Sequence, residues 1–320
     1  MTDMTQTKDS PALRTTATTR TERHGTSMGA DLILLNLFAY LFIGALALAA
    51  VLPFLVMISS SLQSEESVLR YGYSLFPREF RPDAYRFVFA NPTKILRSYG
   101  VTLFVTAGGT LISLFFTSMT AYVLSRHDVR YRNALSFFLF FTTLFNGGLV
   151  PYYLLIANTL HLKNSYAVLL LSGMFSVMYI FIIRTYITGS IPDSLSESAK
   201  LDGANDFLIF LRVILPLLKP ALASIGLFIA LGYWNDWFTS TLFITKSDMF
   251  PLQYLLYKML TYAKYAQQLA AKNGAVTGQN IPQETITLAM TVVATGPIVL
   301  AYPFVQKHFV AGMTIGAVKG

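Results

Sequence analysis

The residue types that most often build catalytic or metal sites are sparse in this chain. Cysteine is absent, and the four histidines at positions 24, 127, 161 and 308 are scattered, without a metal-ligand spacing. Without cysteine there is no disulfide, no thiol nucleophile and no cysteine-bound metal. No G-x-x-x-x-G-K-[ST] sequence occurs, so the chain has no P-loop for ATP phosphates. We therefore expect a non-enzymatic chain without a cofactor of its own, and any ATPase it works with must be another polypeptide.

One polar pair stands inside an apolar segment and could contact a ligand. Asn235 and Asp236 follow Tyr233 and Trp234 and precede Trp237. Such groups are costly in lipid, so they must face protein or water, and they are functional candidates by default. Aromatic rings can stack on sugar rings while amide and carboxylate groups bond the hydroxyls, so these five residues are candidates for a translocation path. The alternative is an aromatic belt at a membrane interface with polar groups that only pack helices.

The composition indicates a membrane protein. The 320 residues are 54% hydrophobic and only 12% charged, whereas soluble domains are about 25% charged. The net charge of +8 could suggest nucleic acid, but the basic residues flank apolar segments, where they more simply set membrane topology. We expect contact with lipid and none with nucleic acid.

Apolar segments of bilayer length recur along the chain and predict an all-α polytopic membrane protein. A span needs about 20 mainly apolar residues. Six segments qualify, and residues 31–320 are expected to form one transmembrane domain; the spans are 32–58, 99–124, 134–157, 165–188, 218–245 and 285–309. Residues 1–30 are polar and are expected to be a disordered tail.

The distribution of lysine and arginine predicts the orientation. Basic residues crowd the tail, the short second loop and the interval between the fourth and fifth spans. Cytoplasmic loops carry such an excess, so both termini and the interval 192–220 are expected to be cytoplasmic.

Two spans contain features that favour bends or close packing. Gly108 and Gly109 lie at the centre of the second span, where small residues let helix backbones approach. The third span contains Asn146-Gly147-Gly148 and Pro151, which predict a kink or a broken helix. Asn146 is a candidate for lining the path, with a purely structural kink as the alternative.

The polar interval between Pro192 and Pro220 predicts two short helices joined at an elbow. Ser194 and Glu197 have capping-box spacing before a helix over 195–202, and Asp193 is the alternative cap. We expect Leu195, Glu197 and Ala199 to share one face of that helix. Gly203 suits the bend. The next helix carries an apolar stripe, and prolines end or break it; the stripe is Phe207, Phe210, Leu211, Ile214 and Leu215, and the prolines are Pro216 and Pro220.

This interval resembles the EAA loop of permease subunits in binding-protein-dependent ABC importers. The matching residues are Glu197-Ser198-Ala199, Asp202-Gly203-Ala204, Phe207, Phe210, Ile214, Leu215-Pro216 and Pro220, with Ser198 in place of an alanine. The resemblance implies a cytoplasmic coupling helix that contacts an ATPase through Ser194, Glu197, Ala199, Asp202, Gly203, Ala204 and Phe207. The alternative is an ordinary capped helix-turn-helix between two spans.

The C-terminal residues resemble the carbohydrate-type, maltose-permease-like branch of these importers. The similar stretches are Tyr302 to Phe309 and Gly312 to Gly320. The resemblance implies import of an oligosaccharide through a bacterial inner membrane, with acidic polysaccharide fragments such as those of alginate or pectin included. It also implies a second homologous permease, two copies of an ATPase that binds ATP and Mg²⁺, and an extracytoplasmic solute-binding protein. In this family an Asn after the Trp, as at Asn235, favours a shared structural or gating role. The rival interpretation is a secondary transporter or channel, which would need ionisable residues deep in the spans.

The interval 246–284 is long enough to be functional. We expect a helix from Leu252 to Ala271 followed by a turn-rich tip. The family resemblance implies that the interval faces the solute-binding protein, with Tyr254, Tyr257, Asn273 and Gln279 as candidate contacts. For the tip, a merely solvated loop is the alternative.

Overall fold

The computed structural model describes residues 30–272 and 283–299, and it divides into two compact units. The first unit ends at Pro53. Its described part is the beginning of helix α1 (Ala30–Ser61), which has Pro53 in its interior. The predicted tail and the predicted C-terminal motifs lie outside the described residues.

The second unit, from Phe54 onward, is helical throughout its described part, which contains no β-strand. After α1 the helices are α2 (Glu65–Tyr71), α3 (Asp83–Val88), α4 (Pro92–Ser125), α5 (Arg132–Leu144), α6 (Leu149–Leu154), α7 (Tyr166–Leu171), α8 (Val177–Ser190), α9 (Asp193–Leu201), α10 (Asp206–Ile209), α11 (Leu215–Leu217), α12 (Lys219–Asn235), α13 (Phe238–Phe243), α14 (Leu252–Lys272) and α15 (283–299). Wider π-helical turns follow α6 at Leu155–Thr159 and α10 at Phe210–Ile214. The prediction of an all-α protein is confirmed.

Membrane-spanning helices are present among the described residues, but they are less continuous than predicted. Leu32–Ser61 and Pro92–Ser125 are each long and apolar enough to cross a membrane. Two further pairs qualify only as bent units, Arg132–Leu144 with Leu149–Thr159 at 114°, and Asp206–Leu217 with Lys219–Asn235 at 83°. The count of six spans stays a prediction.

Three predicted spans are broken in the structure. The span 134–157 breaks at residues 145–148, where Gly148 has a positive φ of 88°. This confirms the expected kink. The span 165–188 is broken between α7 and α8, and the span 218–245 is broken after Asn235. These two breaks were not predicted.

Helix α4 is the centre of the core and packs on α7, α8 and α12. The ring of Tyr233 on α12 lies directly on Gly109, and a Cβ atom added there would be 2.5 Å from the ring. The Tyr233 hydroxyl donates to the Leu170 carbonyl. Ser113 on α4 likewise donates to the Met174 carbonyl at 2.8 Å. The small residues predicted to allow close packing do so here.

Helix α2 holds the N-terminal end of α15 through one carboxylate. Glu65 accepts hydrogen bonds from the backbone N–H groups of Glu284 and Thr285, each at 2.9 Å. These N–H groups have no partner within their own helix, so Glu65 caps α15 from a distant part of the chain. Tyr73 donates to the Glu284 carboxylate at 3.0 Å, and this bond raises the pKa of Tyr73.

Candidate coupling surface and translocation cavity

The elbow has the predicted shape, but its first helix starts differently. Helix α9 begins at Asp193 after Pro192, and no side chain caps it. The predicted Ser194–Glu197 capping box is wrong. Ser194 is already the second helical residue, because α9 begins directly after Pro192, two residues earlier than the capping box requires.

Gly203 closes α9 and produces the bend. Its φ is +81°, a left-handed conformation that glycine adopts without the steric cost of a Cβ atom. The Ala204 N–H bonds the Ala199 carbonyl at 3.0 Å, which completes the end of the helix. Asn205 then caps α10 by accepting from the Leu208 N–H at 2.8 Å. The predicted elbow is confirmed.

The two sides of α9 differ sharply in exposure. Ala199 and Ala204 pack against the core, so the expected face combining Glu197 with Ala199 is wrong. Leu201 is 90% exposed and is the most exposed large apolar side chain among those described. Glu197 is exposed and makes no ion pair or hydrogen bond with the described residues. Leu201, which the sequence did not single out, is therefore the main apolar residue of the outward surface, and the predicted Leu195 is also exposed, at 42%.

The other predicted coupling residues are distributed around the elbow. Ser194 is exposed on α9, and Asp202 forms its C-terminal cap. Phe207 begins the apolar stripe of the next helix, but 55% of its surface is exposed. Phe210 and Ile214 of the same stripe are buried. The structure thus places Phe207, unlike the rest of its stripe, where a partner could cover it.

A network of four charges joins the elbow to the end of α4. Arg126, whose side chain is only 13% exposed, pairs with both Asp128 and Asp206. Lys200 on α9 lies 2.7 Å from Asp128 and 3.7 Å from Asp206. The hydrogen bonds from Arg126 and Lys200 hold the pKa of Asp128 well below its usual range. The bond to Asp128 raises the pKa of Lys200, so Asp128 and Lys200 both stay charged near neutral pH.

Asp236 explains the break after α12. Its carboxylate accepts from the Thr239 N–H at 3.0 Å and so caps α13. Asn235 donates back to the Leu231 carbonyl at 2.9 Å and accepts from the Gln253 amide at 3.3 Å. Both polar residues therefore have hydrogen-bond partners, although Asn235 is exposed and Asp236 is half-buried.

The aromatic residues around this pair serve two different purposes. Tyr233 and Trp234 are buried, and the Trp234 indole donates to the Ala294 carbonyl at 3.1 Å. Trp234 therefore fixes α12 to α15 and borders neither of the two cavities described below. Trp237 and Tyr257 are each 39% exposed, and their rings stack at 4.4 Å with an angle of 26°.

Two open cavities meet at Asn235. One, of about 370 Å³, is bordered by Tyr233, Asp236 and Gly173. The other, of about 340 Å³, lies between α12, α14 and α15, and its polar and aromatic lining is Asn235, Trp237, Gln253, Tyr257, Thr287, Thr291 and Thr295. Gln253 and the three threonines are additions to the predicted set. The threonine spacing of four residues, which places them on one helix face, was a signal available in the sequence.

The remaining predicted path and contact residues lie elsewhere. Asn146 is exposed between α5 and α6, where it accepts from the Gly148 N–H at 2.8 Å, and it borders neither cavity. Tyr254 is 7% exposed and packs edge-on against Phe250, so its ring has little free surface. Asn273 and Gln279 lie outside the described residues. The helix predicted from Leu252 to Ala271 is confirmed as α14.

Comparison with known proteins places this arrangement in a family. The model of the binding-protein-dependent transport system inner membrane component matches residues 27–315. The chain belongs to this family. It is 40% identical to the protein LplC of Bacillus subtilis over 298 residues, covering 93% of this chain and 98% of LplC. It is also 40% identical to the polygalacturonan/rhamnogalacturonan transport system permease YtcP of the same organism, covering 90% and 99% of the two chains.

A solved structure extends the comparison to three dimensions. A chain of a bacterial ABC transporter involved in the import of the acidic polysaccharide alginate superposes with a TM-score of 0.71. That chain is 31% identical, and the match covers 88% of this chain and 98% of that one. Membership in the family makes this chain an inner-membrane transport component and not an enzyme. It also implies an ATPase and a solute-binding protein as partners.

Proposed function

We propose that this chain is one of two homologous permeases in an ATP-driven importer for an acidic oligosaccharide. The observation that carries the proposal is an exposed coupling surface, formed by Glu197 and Leu201, and a polar cavity at Asn235 in the same chain. Helix α12 ends at Asn235 and follows the elbow segment after a bend of 83°. At about 1.5 Å per residue, the 17 residues of α12 span about 25 Å, most of a bilayer core.

The acidic cargo is supported by the relatives. The names of two of them refer to polygalacturonan, rhamnogalacturonan and alginate, which are polymers containing uronic acids. Other relatives are named for arabinooligosaccharides, from Halalkalibacterium halodurans, at 29% identity. Since the similarity to YtcP is higher and extends over nearly the whole of both chains, we place this chain with the importers of acidic fragments.

The mechanism follows from the elbow. Two copies of an ATPase, each binding ATP and Mg²⁺, contact the cytoplasmic α9 of this chain and the equivalent helix of the second permease. Closure of the ATPase pair moves α9, and the charge network passes this displacement to α4 as a rigid-body shift. The solute-binding protein delivers the sugar on the opposite side, where residues 252–280 of this chain meet it. No bond is made or broken on this chain.

The test is transport by the whole complex in lipid vesicles, with trigalacturonate as cargo. We expect uptake that needs both ATP and the solute-binding protein and that continues when ionophores collapse ion gradients. Leu201→Ser should lower the amount of ATPase retained during purification, because Leu201 is the exposed apolar group of α9. A matched control is Leu217→Ser, which changes a partly exposed leucine beyond the elbow.

Two results would contradict the proposal. Uptake that proceeds without ATP and stops when ion gradients collapse would identify a secondary transporter. Full ATPase retention and full uptake in the Leu201→Ser complex would remove α9 from the coupling contact.

A further inference from the structure

The wall of the cavity between α12, α14 and α15 carries no carboxylate, ammonium or guanidinium group. Its polar groups are two amides, one phenol, one indole N–H and three threonine hydroxyls, and its other lining residues are leucine, methionine and alanine. Ligand sites are commonly of this kind, largely apolar and aromatic with a few placed polar groups. An uncharged wall is unexpected in a carrier of acidic sugars, and it limits which part of the cargo can rest there.

The aromatic part of the wall is a flat, pre-formed surface. Trp237 and Tyr257 are stacked on one another and stay partly exposed to the cavity. Because each ring already has a packed neighbour, a ligand that lies on them orders few additional side-chain torsions. The flat apolar C–H face of a pyranose ring fits such a surface, whereas a carboxylate does not.

The threonines of the wall act as acceptors. Thr287, Thr291 and Thr295 each donate to the backbone carbonyl four residues earlier, at 2.7, 2.8 and 2.6 Å. With its one proton committed, a threonine hydroxyl offers only lone pairs to the cavity. The Asn235 amide oxygen adds a further acceptor, and the Asp236 carboxylate borders the adjoining cavity. Sugar hydroxyls can donate to acceptors, but an ionised carboxylate can only accept and is repelled.

We propose that this wall is a sugar subsite that binds the uncharged, hydroxyl-bearing face of the cargo, and that the carboxylates of an acidic oligosaccharide point away from this chain. The inference rests on the proposed import function. In it, this chain recognises the uncharged face of the sugar. The outer face of Trp237, whose other face is covered by Tyr257, stacks on the sugar ring, and the threonines of α15 accept from its hydroxyls. Recognition of charge then belongs to other parts of the assembly.

In the purified complex, two probes separate recognition of the sugar rings from recognition of the carboxylates. Trigalacturonate carries three carboxylates, and galactotriose presents sugar rings without them. Binding is followed by quenching of Trp237 fluorescence, taken as the difference between the native complex and a Trp237→Phe complex. This chain has only two tryptophans, and the other, Trp234, is buried. We expect both probes to quench this difference signal, because the wall accepts a sugar ring with or without carboxylates.

The variants test the role of the wall in transport. Trp237→Ala should reduce ATP-driven trigalacturonate uptake about tenfold or more, as expected on loss of a central aromatic contact. Trp237→Phe should restore most of it. Thr291→Val removes an acceptor at nearly constant volume and should weaken binding of both probes by a similar factor. Tyr265→Ala is the matched control, because Tyr265 is an exposed tyrosine of α14 that does not border this cavity.

Several outcomes would overturn the subsite. These are unchanged uptake in the Trp237→Ala complex, no quenching by galactotriose, or a loss of affinity in the Thr291→Val complex that differs between the probes by more than about tenfold. Loss of the second permease from the Trp237→Ala complex would also overturn it, since the wall would then be a subunit interface. Failure of the proposed function looks different, because the native complex would then show no ATP-dependent uptake of trigalacturonate.

Discussion

A single glycine determines the angle of the elbow, and its role can be separated from packing. A Cβ atom at Gly203 would meet nothing within 4 Å, so a substitution there acts only through the left-handed backbone. We expect Gly203→Val to cost about 1–3 kcal/mol of local strain and to reduce both ATPase retention and sugar transported per ATP. Gly203→Asn should keep most of both, because asparagine tolerates this conformation better than other residues.

The control for this change is Gly189→Ala at the end of α8. A Cβ atom there also meets nothing within 4 Å, and the backbone is helical. Normal coupling in the Gly203→Val complex would show that the elbow angle does not depend on this residue.

Gly109 tests the opposite case, in which the available space, and not the backbone conformation, determines the effect of a substitution. A Cβ atom there would overlap the Tyr233 ring at 2.5 Å, whereas Gly100 on the same helix has open space. We expect Gly109→Ala to destabilise the protein by about 1–3 kcal/mol through overpacking. Gly100→Ala should be neutral or stabilising, because it only restricts the unfolded chain. Thermal unfolding of the purified protein measures both, and equal midpoints would contradict the close contact between α4 and α12.

Among elements, the charge network at the end of α4 is the connection that the coupling mechanism needs. Asp128→Asn and Lys200→Gln should each lower sugar transported per ATP by about threefold, and the double variant should lose less than the two effects combined, since the Asp128–Lys200 contact is lost in all three. Glu66→Gln with Arg70→Gln is the matched control, an ion pair within α2 at 3.0 Å. Additive losses in the double variant would show that Asp128 and Lys200 act independently.

The pH dependence of this network follows from the directions of its pKa shifts. The pKa of Asp128 is lowered, so its contribution is fully present above its unfolded-state pKa and is lost only in stronger acid. The pKa of Lys200 is raised, so its contribution is present below its unfolded-state pKa and is lost only in stronger base. Between about pH 5 and 9 the network should therefore give a flat profile. Added salt should weaken coupling in the same range, because much of the network is exposed.

The elements differ in how far the sequence could predict them. The elbow was predictable because Gly203, Pro216 and Pro220 act locally. The start of α9 was not predictable from the Ser194–Glu197 spacing, because the helix already begins at Asp193, directly after Pro192. The break after Asn235 depends on Asp236 bonding the Thr239 N–H, and a carboxylate inside an apolar run can equally well face a cavity.

Contacts between distant residues lie beyond sequence reasoning of this kind. In the sequence, Arg126 and Lys200 indicate only membrane topology. In the structure, Arg126 pairs with Asp206 and Lys200 pairs with Asp128. Trp237 and Tyr257 were both candidates, but their stacking requires the packing of α14 on the end of α12. The threonine stripe of α15, by contrast, was readable from its spacing.

For the whole molecule, the predicted orientation can be tested without background labelling, because the chain contains no cysteine. Ser198→Cys and Ser247→Cys place thiols at exposed positions in α9 and just before α14. A membrane-impermeant maleimide should label Ser247→Cys in intact cells stripped of any outer barrier. It should label Ser198→Cys only after the membrane is opened. The reverse pattern would invert the topology and place α9 on the side without ATP.

The exposure of Leu201 has a consequence for the life of the protein in the cell. With the predicted orientation, a subunit inserted before its ATPase arrives exposes Leu201, at 90% exposure, to the cytosol. Chaperones and membrane proteases recognise such exposed apolar groups. A small change in the fraction of subunits that expose them can change protein abundance several-fold. The amount of this permease in the membrane should therefore follow the supply of its ATPase, so that orphan subunits are cleared and the importer's stoichiometry is maintained by degradation as well as by synthesis.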